Sequence, residues 1–119
     1  MLDLHLIERI GLAGLMVLGV VTAPAQEYPS KPIRIVTAAV GGGSDFTARQ
    51  IAQGISGPLG QPVVVENRGS GIIQGEFLMK APPDGYGLVV TGGAFWIGPL
   101  LQKMPYDVVA DFAPVALLV

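Results

Sequence analysis

The chain contains no cysteine, and its only histidine is His5, close to the amino terminus. Without cysteine, disulfide bonds, thiol catalysis and thiolate metal sites are excluded. Charged residues make up only 13% of the 119 positions, and the formal net charge is −2. Because no basic patch interleaved with aromatic residues occurs, a nucleic acid is not an expected partner.

A run of apolar and small residues extends over 10–23 and leads into Ala23-Pro24-Ala25. The run is shorter than the roughly 20 residues that a membrane span requires, and an Ala-x-Ala ending suits signal peptidase. The sequence therefore predicts a cleavable signal peptide over 1–25 and export to the periplasm, against an uncleaved anchor or a buried helix. Cleavage would remove His5, so no catalytic residue, metal site or cofactor is predicted.

After residue 25, apolar runs rich in β-branched residues alternate with helical patterns. Strands are predicted at 33–37, 62–66 and 88–91, and helices at 44–56, 73–80 and 94–101. This alternation predicts an α/β fold with a parallel sheet and flanking helices. The glycine-containing loops at 41–43, 69–71 and 92–93 would then lie along one edge of the sheet, where the strands end.

The first glycine loop reads Gly41-Gly42-Gly43-Ser44-Asp45 and joins a strand to a helix. Ser44 is predicted as the N-cap and Asp45 as a first-turn residue. Backbone N–H groups converge at a helix N-terminus, where the macrodipole favours negative charge, so the loop is a candidate anion site. No lysine follows the glycines and the full dinucleotide spacing is absent, which disfavours nucleotides. The alternative is a tight turn without a ligand.

A second loop, Thr91-Gly92-Gly93, offers a hydroxyl and unhindered amides at the same edge. It is predicted to bind a small polar ligand together with Gly42, Gly43, Ser44 and Asp45; the alternative is again a simple turn. Arg68 is interpreted as a structural or solvated loop residue, and Phe95 and Trp96 as core residues.

The last five residues, 115–119, form an apolar run without a cap, turn or polar tail. They are predicted to form a buried strand whose neighbours lie in a longer chain. The alternative is an ordinary C-terminal strand of a small domain.

Five ordered blocks of sequence carry a resemblance to a known family. They are YPSKPIR at 28–34, GGGSD with AR at 41–49, LGQPVVVENR at 59–68, PDGY at 83–86, and PYD with DFAPV at 105–115. In order and spacing they resemble the Bug family, the extracytoplasmic substrate-binding receptors of tripartite tricarboxylate transporters.

The resemblance implies that residues 26–119 form part of lobe one of a two-lobed periplasmic binding protein of type II-like architecture. It implies a monomeric receptor, not an enzyme, that captures a small carboxylate for the membrane permease subunits of the transporter. The ligand would be held by backbone amides, hydroxyls and ordered waters at Gly42, Gly43, Ser44, Asp45, Thr91, Gly92 and Gly93. The alternatives are a truncated non-functional remnant of such a receptor and an exported α/β enzyme or sensor domain.

The signal-peptide prediction is tested by mass spectrometry of the exported protein. We expect Gln26 at the amino terminus, because cleavage should follow Ala25. Recovery of protein that still begins at Met1 would contradict the prediction.

Overall fold

Strands and helices alternate through the computed structural model, which describes residues 27–69 and 71–118. The predicted signal peptide over 1–25 lies outside these residues. The elements are β1 (Ile33–Thr37), α1 (Gly43–Leu59), β2 (Val63–Asn67), α2 (Gly71–Met79), β3 (Gly87–Val89) and α3 (Gly93–Leu101). None of these helices combines the length and the apolar character needed to cross a membrane. The α/β prediction is confirmed.

The sheet is built around β1, which pairs in parallel with both other strands in the order β2-β1-β3. Ile35 at its centre lies opposite Val65 of β2 and Leu88 of β3. β1 is buried except at Arg34, in keeping with a strand that has neighbours on both edges.

The helices cover opposite faces of the sheet. Ile35 packs with Ala48 and Ala52 of α1 in the main core cluster. Its neighbour Arg34 points to the other face, where its guanidinium lies 5.7 Å from the ring centroid of Phe77 in α2. Successive side chains of a strand alternate between faces, so neighbouring residues of β1 contact α1 on one face and α2 on the other.

The amino-terminal end of α1 differs from the prediction. Gly42, not Ser44, is the N-cap, and its backbone is extended with no side-chain hydrogen bond to the helix. The Asp45 carboxylate instead reaches back from the first turn and accepts a hydrogen bond from the Gly41 N–H at 2.9 Å. The acidic residue thus ties down the loop in place of a capping serine.

The carboxyl-terminal end of α1 also lies further along the chain than predicted. The helix continues past Gly57 and Pro58 to Leu59. It ends at Gly60, which has a φ of 66° and donates its N–H to the Gly57 carbonyl at 3.0 Å. Glycine adopts this left-handed conformation without the steric penalty of a Cβ, so Gly60 is the residue that stops the helix.

The segment after α3 packs back onto the helices through aromatic residues. The Tyr106 ring stacks on Phe95 with centroids 5.3 Å apart, and its hydroxyl donates to the Gly71 carbonyl at 3.1 Å. A Cβ on Gly75 would overlap the Tyr106 ring, so only glycine fits at that point of α2.

For 115–118, the described part of the predicted strand at 115–119, the alternative of an ordinary C-terminal strand of a small domain is wrong, and a strand paired within a longer chain stays a prediction. These residues form no strand, and Val115 and Leu117 are 82% and 87% exposed. A strand requires an edge with which to exchange backbone hydrogen bonds, and 115–118 pairs with neither β2 nor β3. Apolar and β-branched character alone is therefore not sufficient for a strand at 115–118.

The polar side chain of Gln74 in α2 is fully buried. Neither its Nε2 nor its Oε1 has a hydrogen-bond partner among the described residues. It lies one turn before Leu78, whose Cδ2 would be 3.0 Å from a Cβ added at Gly87 of β3. A buried amide without partners loses its hydration and gains nothing in exchange.

Replacing Gln74 with methionine should therefore stabilise the chain. Methionine has a similar length and removes the desolvated amide, so we expect the free energy of unfolding in urea to rise by about 1–2 kcal/mol. Gln53→Met, at an exposed position of α1, is the matched control and should change it by less than about 0.5 kcal/mol. A loss of stability in Gln74→Met would show that the amide is satisfied.

Candidate functional site

The carboxyl ends of β1 and β3 lie side by side and define the candidate site. From β1 the chain passes through α1 to β2, which pairs with one edge of β1, whereas β3 pairs with the other edge. In open α/β sheets a crevice forms where connections diverge in this way, and ligands bind there. Both sequence-predicted loops begin at this point.

Hydrogen bonds hold the two strand ends together. The Val90 N–H donates to the Val36 carbonyl at 2.9 Å, which extends the pairing beyond the last residue of β3. The Thr37 hydroxyl is fully buried and donates to the Val90 carbonyl at 2.9 Å. The loops therefore start from a rigid, shared base.

The first loop leads into the N-terminus of α1. Gly41 turns the chain with a φ of 82°, and Gly42 and Gly43 are exposed. The first hydrogen bond within the helix runs from the Phe46 N–H to the Gly42 carbonyl at 3.0 Å. The preceding amides of the first turn, at 43–45, have no acceptor within the helix and remain available to an anion.

Ser44 and Asp45 occupy different surroundings in that turn. Ser44 is half-buried, whereas Asp45 is only 4% exposed. The Asp45 side chain is already engaged within the protein, so its backbone N–H is the group that it can offer to a ligand.

The second loop mirrors the first. Thr91 is half-buried, and Gly92 and Gly93 are exposed at the start of α3. Gly92 is an extended N-cap without a side-chain hydrogen bond to the helix. The structure thus places two glycine-lined helix N-termini after adjacent strands, at the edge of the sheet where the sequence predicted both loops.

The third glycine loop reaches the same edge. The Arg68 N–H, just after β2, donates to the Thr37 carbonyl at 2.8 Å. Gly71 at the start of α2 packs against Phe95, where an added Cβ would lie 3.6 Å from the Phe95 Cα. The Arg68 guanidinium pairs with Glu66 at 3.1 Å and lies 4.3 Å from the Phe77 ring centroid, which confirms its interpretation as a structural residue.

The two aromatic residues of α3 lie in different environments. Phe95 is buried as predicted, but Trp96 is 50% exposed, so its interpretation as a core residue is wrong for the described structure. The rings meet edge to face with centroids 5.5 Å apart. Consecutive helical residues point in different directions, and only Phe95 faces α2 and the segment after α3.

The Asp45 carboxylate accepts three hydrogen bonds in the site. Its Oδ1 accepts hydrogen bonds from Arg49 Nε at 3.0 Å and Asn67 Nδ2 at 2.8 Å, and its Oδ2 accepts from the Gly41 N–H. The Arg49 hydrogen bond, then those of Gly41 and Asn67, lower the Asp45 pKa to about 2. The carboxylate is ionised at neutral pH, and the stability it contributes is lost only as the pH falls from about 4 toward 2.

Asn67 is the site residue that sequence reasoning did not assign a role. It is the last residue of β2. The sequence that begins at Asn67 has the composition of a loop, so no role was predicted for its side chain. The available signal was a polar residue at the carboxyl end of a parallel strand, with Arg49 four residues after Asp45 on the same helix face.

A separate hollow of about 240 Å³ lies at the opposite edge of the sheet, beside Pro32, Phe77 and Gly87. Its charged neighbours are already paired, Lys31 with Asp84 at 3.1 Å and Arg34 with Glu66 at 2.8 Å. Glu66 also pairs with Arg68, so two guanidinium groups share this one carboxylate. Across the described residues, no group of three or more potential metal-ligating side chains is present.

Comparison with known proteins identifies the family. Residues 47–119 match the family model of the tripartite tricarboxylate transporter family receptor. A UPF0065 protein of Bordetella bronchiseptica is 43% identical over 107 residues, which cover 86% of this chain and 32% of the relative. The protein BugT of Bordetella pertussis is 36% identical over 100 residues, covering 79% of this chain and 31% of the relative.

A solved structure described as a periplasmic transporter is also similar, with 41% sequence identity and a TM-score of 0.69. The match covers 75% of this chain and 32% of that structure. The chain therefore spans about a third of the length of the relatives that it matches. The matched family model and the α/β fold together establish that this chain belongs to the Bug family of tripartite tricarboxylate transporter receptors.

Proposed function

We propose that this chain provides one wall of a carboxylate-binding cleft in a periplasmic solute receptor. The observation that carries the proposal is the pair of helix N-termini at Gly43 and Gly93, which follow the adjacent strands β1 and β3. Neither N-terminus has a capping hydrogen bond from a side chain. Two such ends direct backbone N–H groups and positive dipole ends toward one crevice. A small carboxylate matches that arrangement in charge.

The proposed contacts come from both loops. Gly43 and Asp45 provide backbone N–H groups, and Ser44 adds a hydroxyl. Gly42 contributes a surface without a side chain, because its own N–H donates to the Ala39 carbonyl at 3.3 Å. Thr91, Gly92 and Gly93 provide the corresponding groups from the second loop. Because the described part of the site presents no free cationic side chain, the ligand would be held by amides, hydroxyls and water.

The rest of the proposed function follows from the family. Members are receptors of the tripartite tricarboxylate transporter family, and the solved relative is described as a periplasmic transporter. We propose that the mature protein acts in the periplasm as a monomer, closes two lobes around the ligand and presents it to membrane permease subunits.

Calorimetry tests the binding step. The 119-residue chain, and a version that carries the remaining sequence of the Bordetella bronchiseptica relative, are titrated with succinate and citrate. Saturable binding by either protein supports the proposal, and binding only by the extended one would show that the second wall is required. Absence of binding by both, across a wider panel of di- and tricarboxylates, would contradict it.

Narrowing the space before α1 should weaken binding without unfolding the protein. A Cβ added at Gly43 meets no atom within 4 Å, so Gly43→Ala is compatible with the fold but would occupy the approach to the amides. We expect carboxylate affinity to fall by about tenfold or more, with an unchanged melting temperature.

Gly54→Ala is the matched control, because a Cβ there also meets nothing within 4 Å and the residue lies exposed in the middle of α1. It should stabilise the helix by about 0.5–1 kcal/mol and leave affinity unchanged. Equal affinities in Gly43→Ala and the wild type would place the ligand elsewhere.

Removing the Ser44 hydroxyl separates binding from capping. Ser44 is not the N-cap, so Ser44→Ala should change the free energy of unfolding by less than about 0.5 kcal/mol. A hydrogen bond to a charged ligand contributes about 1.5–3 kcal/mol, which predicts a loss of roughly tenfold or more in affinity by calorimetry. Unchanged affinity would exclude this contact.

A further inference from the structure

The Asp45 side chain is turned into the protein and is surrounded by donors. Both carboxylate oxygens accept hydrogen bonds, Oδ1 from Arg49 and Asn67 and Oδ2 from the Gly41 N–H. These donors come from three places: the next turn of α1, the end of β2 and the glycine loop itself. The carboxylate therefore joins the loop to two rigid elements.

Asn67 extends this connection to the start of the loop. Its Nδ2 also donates to the Ala38 carbonyl at 2.7 Å, and its Oδ1 accepts a hydrogen bond from Arg49 Nη2 at 3.1 Å. The two ends of the stretch from Ala38 to Gly41 are thus held by side chains that contact each other. This matters because Gly41 adopts a φ of 82°, and three consecutive glycines have little conformational preference of their own.

The same contacts determine the charge at the site. An isolated carboxylate in the first turn of α1 would stabilise the helix but repel an incoming anion. The Arg49 guanidinium pairs with Asp45 at 3.0 Å, and the carboxylate is buried while the guanidinium is about half exposed. The pair has no net charge, so the amides of the helix N-terminus face the crevice without an opposing negative field.

We propose that Asp45, Arg49 and Asn67 form a positioning cluster that holds the glycine loop in its binding shape and neutralises the acidic charge beside the anion site. The Asp45 side chain acts through the loop and does not touch the ligand. This inference rests on the proposed carboxylate-binding function and assigns separate roles to the side chain and the backbone of Asp45.

Arg49→Gln tests the cluster. It leaves Asp45 unpaired, so affinity for citrate by calorimetry should fall by about tenfold, and the loss should be larger at low ionic strength because screening is weaker. Arg34→Gln is the matched control, because Arg34 is also about half exposed and also pairs with an acid, Glu66 at 2.8 Å. The control should bind citrate as the wild type does.

The double variant Asp45→Asn/Arg49→Gln separates charge from general structural damage. It removes both charges and keeps an acceptor for the Gly41 N–H, so we expect citrate affinity to recover to within about threefold of the wild type. A structural role alone would make the second substitution add to the first loss. Absence of recovery would therefore overturn the neutralising role.

A measurement without ligand separates this inference from the proposed function. Hydrogen exchange of the Gly41 amide, followed by NMR in the 119-residue chain, should be slow in the wild type and in Arg34→Gln and at least about tenfold faster in Asn67→Ala. If exchange and citrate affinity are unchanged in both Asn67→Ala and Arg49→Gln, the cluster proposal fails while the binding function stands. If neither the 119-residue chain nor the extended protein binds any member of the di- and tricarboxylate panel, but Gly41 exchange responds as expected, the binding function fails and the holding role of the cluster is supported.

Discussion

The parallel pairing of β1 with both β2 and β3 is the constraint on which the rest of the structure depends. Parallel sheets are usually covered on both faces, and the alternating side chains of β1 meet α1 on one face and α2 on the other. Parallel strands also end at one edge. The three glycine loops therefore meet there, and the buried Thr37 hydroxyl ties the first strand end to the third.

At that edge, the residues at the start of α1 and α3 decide which polar groups a ligand could meet. The N-caps Gly42 and Gly92 provide no side-chain hydrogen bond to the helices that they begin. In many proteins a serine or aspartate would occupy the first-turn amides at this point. Here these amides are left without an intrahelical acceptor, which favours binding of an external anion over maximal helix stability.

Such an open loop needs another means of keeping its shape. Asp45 provides it, because its carboxylate is directed away from the crevice and toward Gly41, Arg49 and Asn67. In the proposed site, a negative charge beside the ligand is compatible with anion binding only because the charge is paired. Under this proposal, one ion pair both holds the loop and keeps the wall of the cleft neutral.

Several parts of this arrangement were predictable from local sequence. The β1 bounds were predicted correctly, because a β-branched run between Pro32 and the small residues at 38–43 has clear limits. The bounds of α1 were less accurate. Ser44 has the residue type of an N-cap, but the competing hydrogen bond from the Gly41 N–H to Asp45 holds the loop, and Gly60 ends the helix beyond Gly57.

Two features were beyond local reasoning for a different reason. The apolar residues at 115–118 have strand-like composition, yet a strand exists only where an edge accepts it. Trp96 and Phe95 have similar hydrophobicity, but only the direction in which each leaves α3 decides that one is buried and the other is 50% exposed.

The sequence by itself determined the class of fold, the family and the positions of the glycine loops, since these depend on periodicity, turn residues and ordered motifs along the chain. Only the tertiary structure decided what the polar residues of the site do. Asn67 lies 22 residues from Asp45 and 29 from Ala38 along the chain, yet it donates to both. Contacts of that kind arise from parallel strand pairing, which brings distant strand ends together and leaves no local pattern in the sequence.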